Sequence, residues 1–404
     1  MRKFPKVLII SEFSFNRVSG GGLLFSNLFE DFPDENIALI HEDLHFKNDR
    51  YKFCFCIKGK IFFFSTLFNL LPSKLKIVIK KLYNSLVSKF LLKKINKTGA
   101  INNFIDEFKP DIIYTILGNN EMMRFIKGIV QTYNFPVVTH IMDDFINYEN
   151  NIKNEEQKEL FNFFIKNSTL RLAINNKMCS IYSKNYGFPF YVIHNGLDRN
   201  KIQSVKSFQN KIKKITYIGS VYRNAQLQSI IDVSFAVSAL NEKGKKIKLN
   251  LYFPKNQIKE FEPCFPKNEN VILSVNDLGD EDYFSIISKS DLLMMAANFD
   301  KGSISYYKLS WPAKMASYLM SGIPIFIYGP ENIYFINEAK KKNWALVCNK
   351  QEKLILEDSI CKILYDKKVR HKIIKNALNE SKNFELRKIK NKFITKITKA
   401  VNLK

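Results

Sequence analysis

"SYYKLSWPAKMASYLMSGIPIFIYG" (Ser305–Gly329) reads as a loop, a short helix and a buried strand. Ser310 is placed as an N-cap, and Pro312 fits the first helical turn, where its missing N–H does no harm. Met315, Ala316, Leu319 and Met320 supply a buried stripe. Gly322 closes the helix and Pro324 keeps it from continuing. Lys314 is the residue out of place. A cation in a first turn meets the positive end of the backbone dipole. Either it is solvated, or an anion stands before the helix and reverses the local sign; the residues alone leave both open.

Working outward, short apolar runs alternate with helix-length segments. In the first half they are 6–11, 37–42, 111–117, 136–142, 170–176 and 190–196; in the second, "ITYIGS" (215–220), "LNLYFP", "VILSV", "DLLMMA", "IPIFIYG" and "ALVCN". Strands separated by helices imply parallel sheets in α/β domains. The polar stretch 198–214 is the linker candidate. The expected division is 1–200, 212–375 and a helical tail, 376–404, with Leu378, Phe384, Ile389, Phe393, Ile394 and Ile397 on one face, packing back across the domains. A chain of 404 residues suits two or three domains. Two doubly wound domains facing one another would bind ligands at the carboxyl ends of their strands.

The six cysteines (Cys54, Cys56, Cys179, Cys264, Cys348 and Cys361) are scattered. With no C-x-x-C pair they imply a reducing compartment and no structural zinc. The opening "MRKFPKVLII" runs straight into a strand, so no secretory signal is expected. The formal net charge of +25 fits nucleic acid, an anionic membrane or phosphorylated substrates. Plain enrichment in Lys, Asn, Ile and Phe would explain it as well.

The stretch 305–329, with its "S-x-P-x-K" and "SGIP", resembles the donor-binding region of GT-B glycosyltransferases, particularly glycosyltransferase family 4. "SGGG" after the first strand, "VIHNGLD" before the linker, "YIGSVYRNAQLQSIIDV" opening the second half and "SKSDLLMMA" extend the likeness along the chain. The resemblance implies a GT-B fold and sugar transfer from a nucleotide-diphosphate sugar, without a cofactor or metal. It implies that Lys314 and the amides around Ser310, Pro312 and Ala313 contact the donor diphosphate, helped by Arg223 in the loop after Gly219. The family's two glutamates, eight positions apart, correspond here to Leu309 and Ser317. Neither offers a carboxylate, so retention of configuration, which the family implies, stays open, and Asp300 is the substitute donor contact.

In the first half, Gly20, Gly21 and Gly22 do not form the G-x-G-x-x-G fingerprint of dinucleotide binding. They instead permit close approach of a ligand before a helix expected near Leu23. Asp143 and Asp144, at the carboxyl end of a strand, are the candidates to receive the acceptor's proton; their plainer reading is a loop and N-cap pair. His140 is expected to point into packing. His41 and His45 do not form H-E-x-x-H, and no third metal ligand is evident.

The segment 57–97 joins "IFFFSTLFNLLP" to a piece with eight lysines and no acid. Twelve helical residues reach only about 18 Å, against the roughly 30 Å of a hydrocarbon core. An interfacial helix on anionic lipid fits better, and a core-facing helix pair with a solvated lysine face is the alternative. The leading expectation is therefore a glycosyltransferase of bacterial surface glycans (lipopolysaccharide, lipooligosaccharide or capsule). It would be cytoplasmic, peripheral on the inner membrane face, with a lipid-linked or oligosaccharide acceptor. The alternatives are a GT-B epimerase, another group transferase, or a basic nucleic-acid-binding protein. The last has no recognisable motif, so nucleic acid is not an expected partner.

Overall fold

The computed structural model describes residues 4–16, 19–57, 99–144, 146, 155–203, 210–276 and 279–403. They form two compact units. Unit 1 takes residues 1–142, 151–194 and 389–404; unit 2 takes 143–150 and 195–388. The basic apolar segment 57–97 lies outside the described residues except for Ile57.

Unit 1 has strands β1 (Val7–Ser11), β2 (Ile37–His41), β3 (Phe53–Cys56), β4 (Ile112–Ile116), β5 (Val137–Ile141), β6 (Leu170–Ala173) and β7 (Tyr191–Val192). They lie in the order β3-β2-β1-β4-β5-β6-β7, every pair parallel. Parallel neighbours need long crossovers. The described ones include α1 (Gly20–Leu28), α2 (Ala100–Phe108), α3 (Asn120–Thr132), α4 (Glu155–Asn167) and α5 (Asn176–Tyr186). β1, β2, β4 and β5 are buried throughout, which explains why they read as unbroken apolar runs. β3, "FCFC", is an additional strand that the sequence reading did not include.

Unit 2 has β8 (Lys213–Ile218), β9 (Ile247–Phe253), β10 (Val271–Val275), β11 (Leu292–Ala296), β12 (Ile325–Tyr328) and β13 (Leu346–Cys348). Their order is β10-β9-β8-β11-β12-β13, again wholly parallel. Its helices are α6 (Leu227–Glu242), α7 (Lys255–Phe261), α8 (Asp280–Ser288), α9 (Lys301–Tyr307), α10 (Met315–Met320), α11 (Tyr334–Lys342), α12 (Lys353–Tyr365) and α13 (Lys367–Ser381). Two apolar clusters cover the two faces of the sheet, one around Ile230, Phe253 and Ile360, the other around Tyr318, Ile327 and Trp344.

The tail is two helices rather than one. α13 ends at Ser381, a 3-10 turn spans Lys382–Phe384, and α14 runs from Leu386 to Val401. The break is held by Phe384, whose ring stacks on Trp311 at 5.6 Å and whose carbonyl accepts the Leu197 N–H at 3.0 Å. α14 places Ile389, Phe393 and Ile397 in the core of unit 1. There Phe393 meets Phe29 edge-on at 5.2 Å and Tyr114 at 5.8 Å, and Lys390 pairs with Glu30 and Asp31.

Candidate functional site

In unit 2 the chain order reverses between β8 and β11, the place where open parallel sheets leave a crevice. β8 ends at Ile218, and Gly219 follows with φ +134, a conformation that side chains rarely adopt. The loop beyond it is tied down from several sides. Gln226 donates from Nε2 to the Ser220 carbonyl at 2.8 Å and to the Tyr217 hydroxyl at 3.2 Å. Asn298, after β11, donates from Nδ2 to the Arg223 carbonyl at 2.9 Å, while its Oδ1 accepts the Ser229 N–H at 3.1 Å. Neither Gln226 nor Asn298 stands out in the sequence, because their partners lie in other elements.

Lys314 reaches back to this loop. Its Nζ donates to the Ile218 carbonyl at 2.8 Å and lies 3.7 Å from the centroid of the Tyr217 ring. It also lies 3.3 Å from where a Cβ on Gly219 would be. Among the described residues no carboxylate pairs with it. Burial pushes its pKa down to about 7. A lysine desolvated without a counter-charge favours its neutral form, and a bound anion would reverse that.

This placement corrects part of the sequence reading. α10 begins at Met315, with Lys314 itself at the N-cap. Ser310 does not cap it: its N–H donates to the Tyr307 carbonyl at 3.0 Å and its hydroxyl to the Tyr306 carbonyl at 3.4 Å. Pro312 precedes the helix, and its carbonyl accepts the Met315 N–H at 2.9 Å. Pro312 disfavours helical geometry at Trp311, and Trp311 is held by Phe384 and Tyr334. Ala313 lies exposed in the turn. With only six residues in the helix, Lys314 is directed to the end of β8 rather than standing over a long helix dipole.

Arg223 is exposed, 3.2 Å from Glu260 and 5.0 Å from the centroid of Phe261. An exposed pair of this kind is worth at most about 1 kcal/mol, so an incoming phosphate can displace Glu260. Asp300 is the N-cap of α9 and accepts the Ser303 N–H at 2.9 Å. Burial pushes its pKa upward. The Ser303 hydroxyl and the amides of Ser303, Asp300 and Gly302 outweigh burial and hold it below the usual value. Leu309 is buried, and the Ser317 hydroxyl bonds Tyr283 at 2.6 Å and the Lys314 carbonyl at 2.8 Å, so neither position supplies a free polar group.

Asp143 and Asp144 belong to unit 2. Asp144 is buried, whereas Asp143 keeps an exposed face. Burial among protein atoms, then the Asp144 charge, push the Asp143 carboxyl up to about 6; its exposed face lets solvent screen part of the first effect. Burial is what chiefly raises the Tyr306 and Tyr307 hydroxyls, and the Asp143 charge adds to it in both.

In unit 1 the three glycines are not a loop. α1 begins at Gly20, not near Leu23, because the Ser19 hydroxyl caps it by accepting the Gly22 N–H at 3.0 Å. A Cβ on Gly21 would come within 2.7 Å of the Phe13 ring, and one on Gly22 within 2.3 Å of the Asn16 side chain. These two glycines make room for the protein's own side chains. The loops after β1 and β2 line a cavity of about 800 Å³, with Phe15, Asn16, Asp43, Phe46, Lys47 and Tyr51 among its walls.

His140 is buried in β5, as expected. Its Nε2 donates to the Ile193 carbonyl at 2.9 Å, leaving Nδ1 to accept the Tyr114 hydroxyl at 2.6 Å. Burial pulls its pKa to about 4, so it stays neutral. His41 is buried, with Nδ1 accepting the Asp43 N–H at 3.1 Å. Among the described residues no group of His, Cys, Asp and Glu could hold a metal ion. No described helix is long and apolar enough to cross a membrane. The cysteines are all free.

No family model matches the chain, and no curated protein matches its sequence. Solved structures do. Sucrose-phosphate synthase from Thermosynechococcus elongatus superposes with a TM-score of 0.67 at 11% identity, covering 100% of both chains. Anabaena Alr3699/HepE in complex with UDP-glucose gives 0.63 at 11% identity over 97% of this chain and 99% of that one. The α,α-trehalose 6-phosphate synthase of Burkholderia multivorans gives 0.62 at 10% identity over 99% and 98%. The chain thus has the GT-B fold, two Rossmann-like units, that these glycosyltransferases share.

Proposed function

We propose that the protein is a glycosyltransferase using a nucleotide-diphosphate sugar. The observation that carries this reading is Lys314, a lysine held between the Tyr217 ring and the Gly219 turn with no carboxylate partner among the described residues. A diphosphate at the end of β8 would supply the missing charge, and Lys314 would stabilise the departing nucleoside diphosphate. Arg223, released from Glu260, would add a second cation. The complexes of HepE with UDP and with UDP-glucose support a donor of that class.

Asp143 is the acceptor-side carboxylate in this proposal. With its carboxyl raised to about 6 it is ionised at neutral pH yet basic enough to take a hydroxyl proton. The reaction would need no metal. The finer assignment is a lipid-linked or oligosaccharide acceptor of bacterial surface polysaccharide, used by a peripheral enzyme on the inner membrane face, with retention of configuration. It rests on the motif resemblance and on the lysine-rich 57–97 stretch. The missing carboxylates at Leu309 and Ser317 weaken the case for retention; the alternative reading is a GT-B epimerase, in which the sugar is isomerised and not passed on.

The test is a thermal-shift screen of UDP, GDP, CMP and dTDP, followed by incubation with the matching nucleotide sugars. Stabilisation by one nucleotide and its release from the sugar form are expected. Isomerised sugar without transfer would select the epimerase, and no response to any nucleotide would refute both.

A further inference from the structure

Glu12 follows β1 directly, and the residues around it leave space for its carboxylate. In the sheet of unit 1 the chain passes from β1 to β2 on one side, while β4 lies against β1 on the other. The loops after β1 and β4 therefore part at the carboxyl edge, where ligands bind in such sheets. Glu12 stands in the first of these loops, and Gly118 and Asn119 stand in the second. One carboxylate oxygen, Oε1, accepts the backbone N–H of Asn119, the N-cap of α3.

A Cβ on Gly118 would fall 2.1 Å from that oxygen and 3.0 Å from the carboxyl carbon. Gly118 does not have positive φ, so no turn geometry requires a glycine there. The carboxylate alone accounts for it. Glu12 is half-buried, and among the described residues it has no further hydrogen bond or ion pair, which leaves Oε2 without a partner there. A fixed, half-buried carboxylate with one open oxygen at a sheet's switch point suits a hydroxyl donor.

We propose that Glu12 binds a hydroxyl group of the acceptor sugar through Oε2, with Gly118 and Asn119 fixing the carboxylate in place. The class of ligand, a hydroxylated sugar, rests on the glycosyl-transfer reading. A purely structural role, capping α3, is separable from this one. In Glu12→Gln the amide oxygen still accepts from Asn119, while the other position becomes an uncharged N–H group that cannot accept the hydroxyl proton, so the charge-assisted bond is lost.

The experiment uses the full chain and a panel of methyl glycosides (α-glucoside, β-galactoside, α-mannoside and β-N-acetylglucosaminide) at saturating nucleotide. Saturation-transfer NMR would measure glycoside affinity, and thermal shift would measure fold and nucleotide binding. At least one glycoside should bind the wild type and weaken tenfold to a hundredfold in Glu12→Gln, the range for a hydrogen bond to a charged group. Melting temperature and nucleotide response should stay unchanged. Gly118→Ala, which displaces the carboxylate, should weaken the same glycoside.

Equal affinity in Glu12→Gln, or no glycoside bound by the wild type, would overturn the proposal. A loss in Gly118→Ala without one in Glu12→Gln would do so too. Glycoside binding that depends on Glu12 in a protein that binds no nucleotide would instead sink the transferase reading and leave the sugar site standing.

Discussion

Lys314→Met should make the protein more stable and stop it responding to nucleotide. The ordinary lysine value is 10.5, and burial lowers Lys314 to about 7. At about 1.4 kcal/mol per pKa step, the charged form carries a ceiling of about 5 kcal/mol of unfavourable free energy in the folded state. Lys314 is only half-buried, and the Ile218 carbonyl and the Tyr217 face return part of this. About 2 kcal/mol is the reasonable net value. Methionine fills similar space without the charge. The melting temperature at pH 7.5 should then rise by about 4–8 °C.

The sign of the pH dependence follows. Between about pH 7 and 10.5 the unfolded chain holds a proton that the folded one has released. Wild-type stability from this group therefore increases with pH across that window, and the advantage of the variant shrinks towards pH 10.5. Differential scanning fluorimetry from pH 6.5 to 10, with and without the nucleotide found by screening, reads both effects. Nucleotide at 100 times its dissociation constant should stabilise the wild type by about 2.7 kcal/mol and the variant little. A variant less stable than the wild type at pH 7.5 that kept the full nucleotide response would refute the reasoning.

Other outcomes follow from the same geometry. Turnover should rise with pH through about 6 as Asp143 ionises, and Asp143→Asn should lower turnover and abolish that limb in a pH–rate profile. Gly219→Ala should lose about 1–3 kcal/mol in urea unfolding, because φ is +134 and the new Cβ crowds Lys314. Phe393→Ala should lose about 3–5 kcal/mol by opening the aromatic cluster of unit 1, measured in the same way. Nucleotide release should persist in excess EDTA if Lys314, not a metal, stabilises the leaving diphosphate.

The fold was legible where burial on both faces of a parallel sheet writes an apolar run into the sequence. "VLIIS" and "IALIH" became central strands, whereas "FCFC" is half-buried and carries too weak a signal to stand out. The misreadings share a cause, which is control by residues distant in sequence. Three glycines have poor helix propensity, yet Gly20–Gly22 are helical because Ser19 caps them and Phe13 and Asn16 occupy the space of absent side chains. Ser310 and Pro312 carry local start signals, but Phe384 holds Trp311 and the helix begins later. That no carboxylate among the described residues pairs with Lys314 could not be read at all. The surroundings that define its state, Tyr217, Ile218 and Gly219, come from almost a hundred residues earlier.

The two units repeat one device with different residues. In each, the loop after the first strand is fastened to the loop after the neighbouring strand across the point where the chain order reverses. In unit 1 the fastening is Glu12 on the Asn119 N–H; in unit 2 it is Asn298 on the Arg223 carbonyl. The chemistry left over differs. Glu12 keeps an oxygen that accepts hydrogen bonds, which suits hydroxyl groups. The amide of Asn298 is fully committed, and the charge beside its loop is the Lys314 cation, which suits an anion. Under the proposed function, a carboxylate at one switch point and, at the other, a lysine with no carboxylate partner among the described residues would serve different groups, Glu12 a hydroxyl of the acceptor and Lys314 the diphosphate. Removing each leftover charge in turn separates this division from mere cross-bracing. Glu12→Gln should weaken sugars and spare nucleotides, Lys314→Met should do the reverse, and the same ligand weakened equally by both would contradict it.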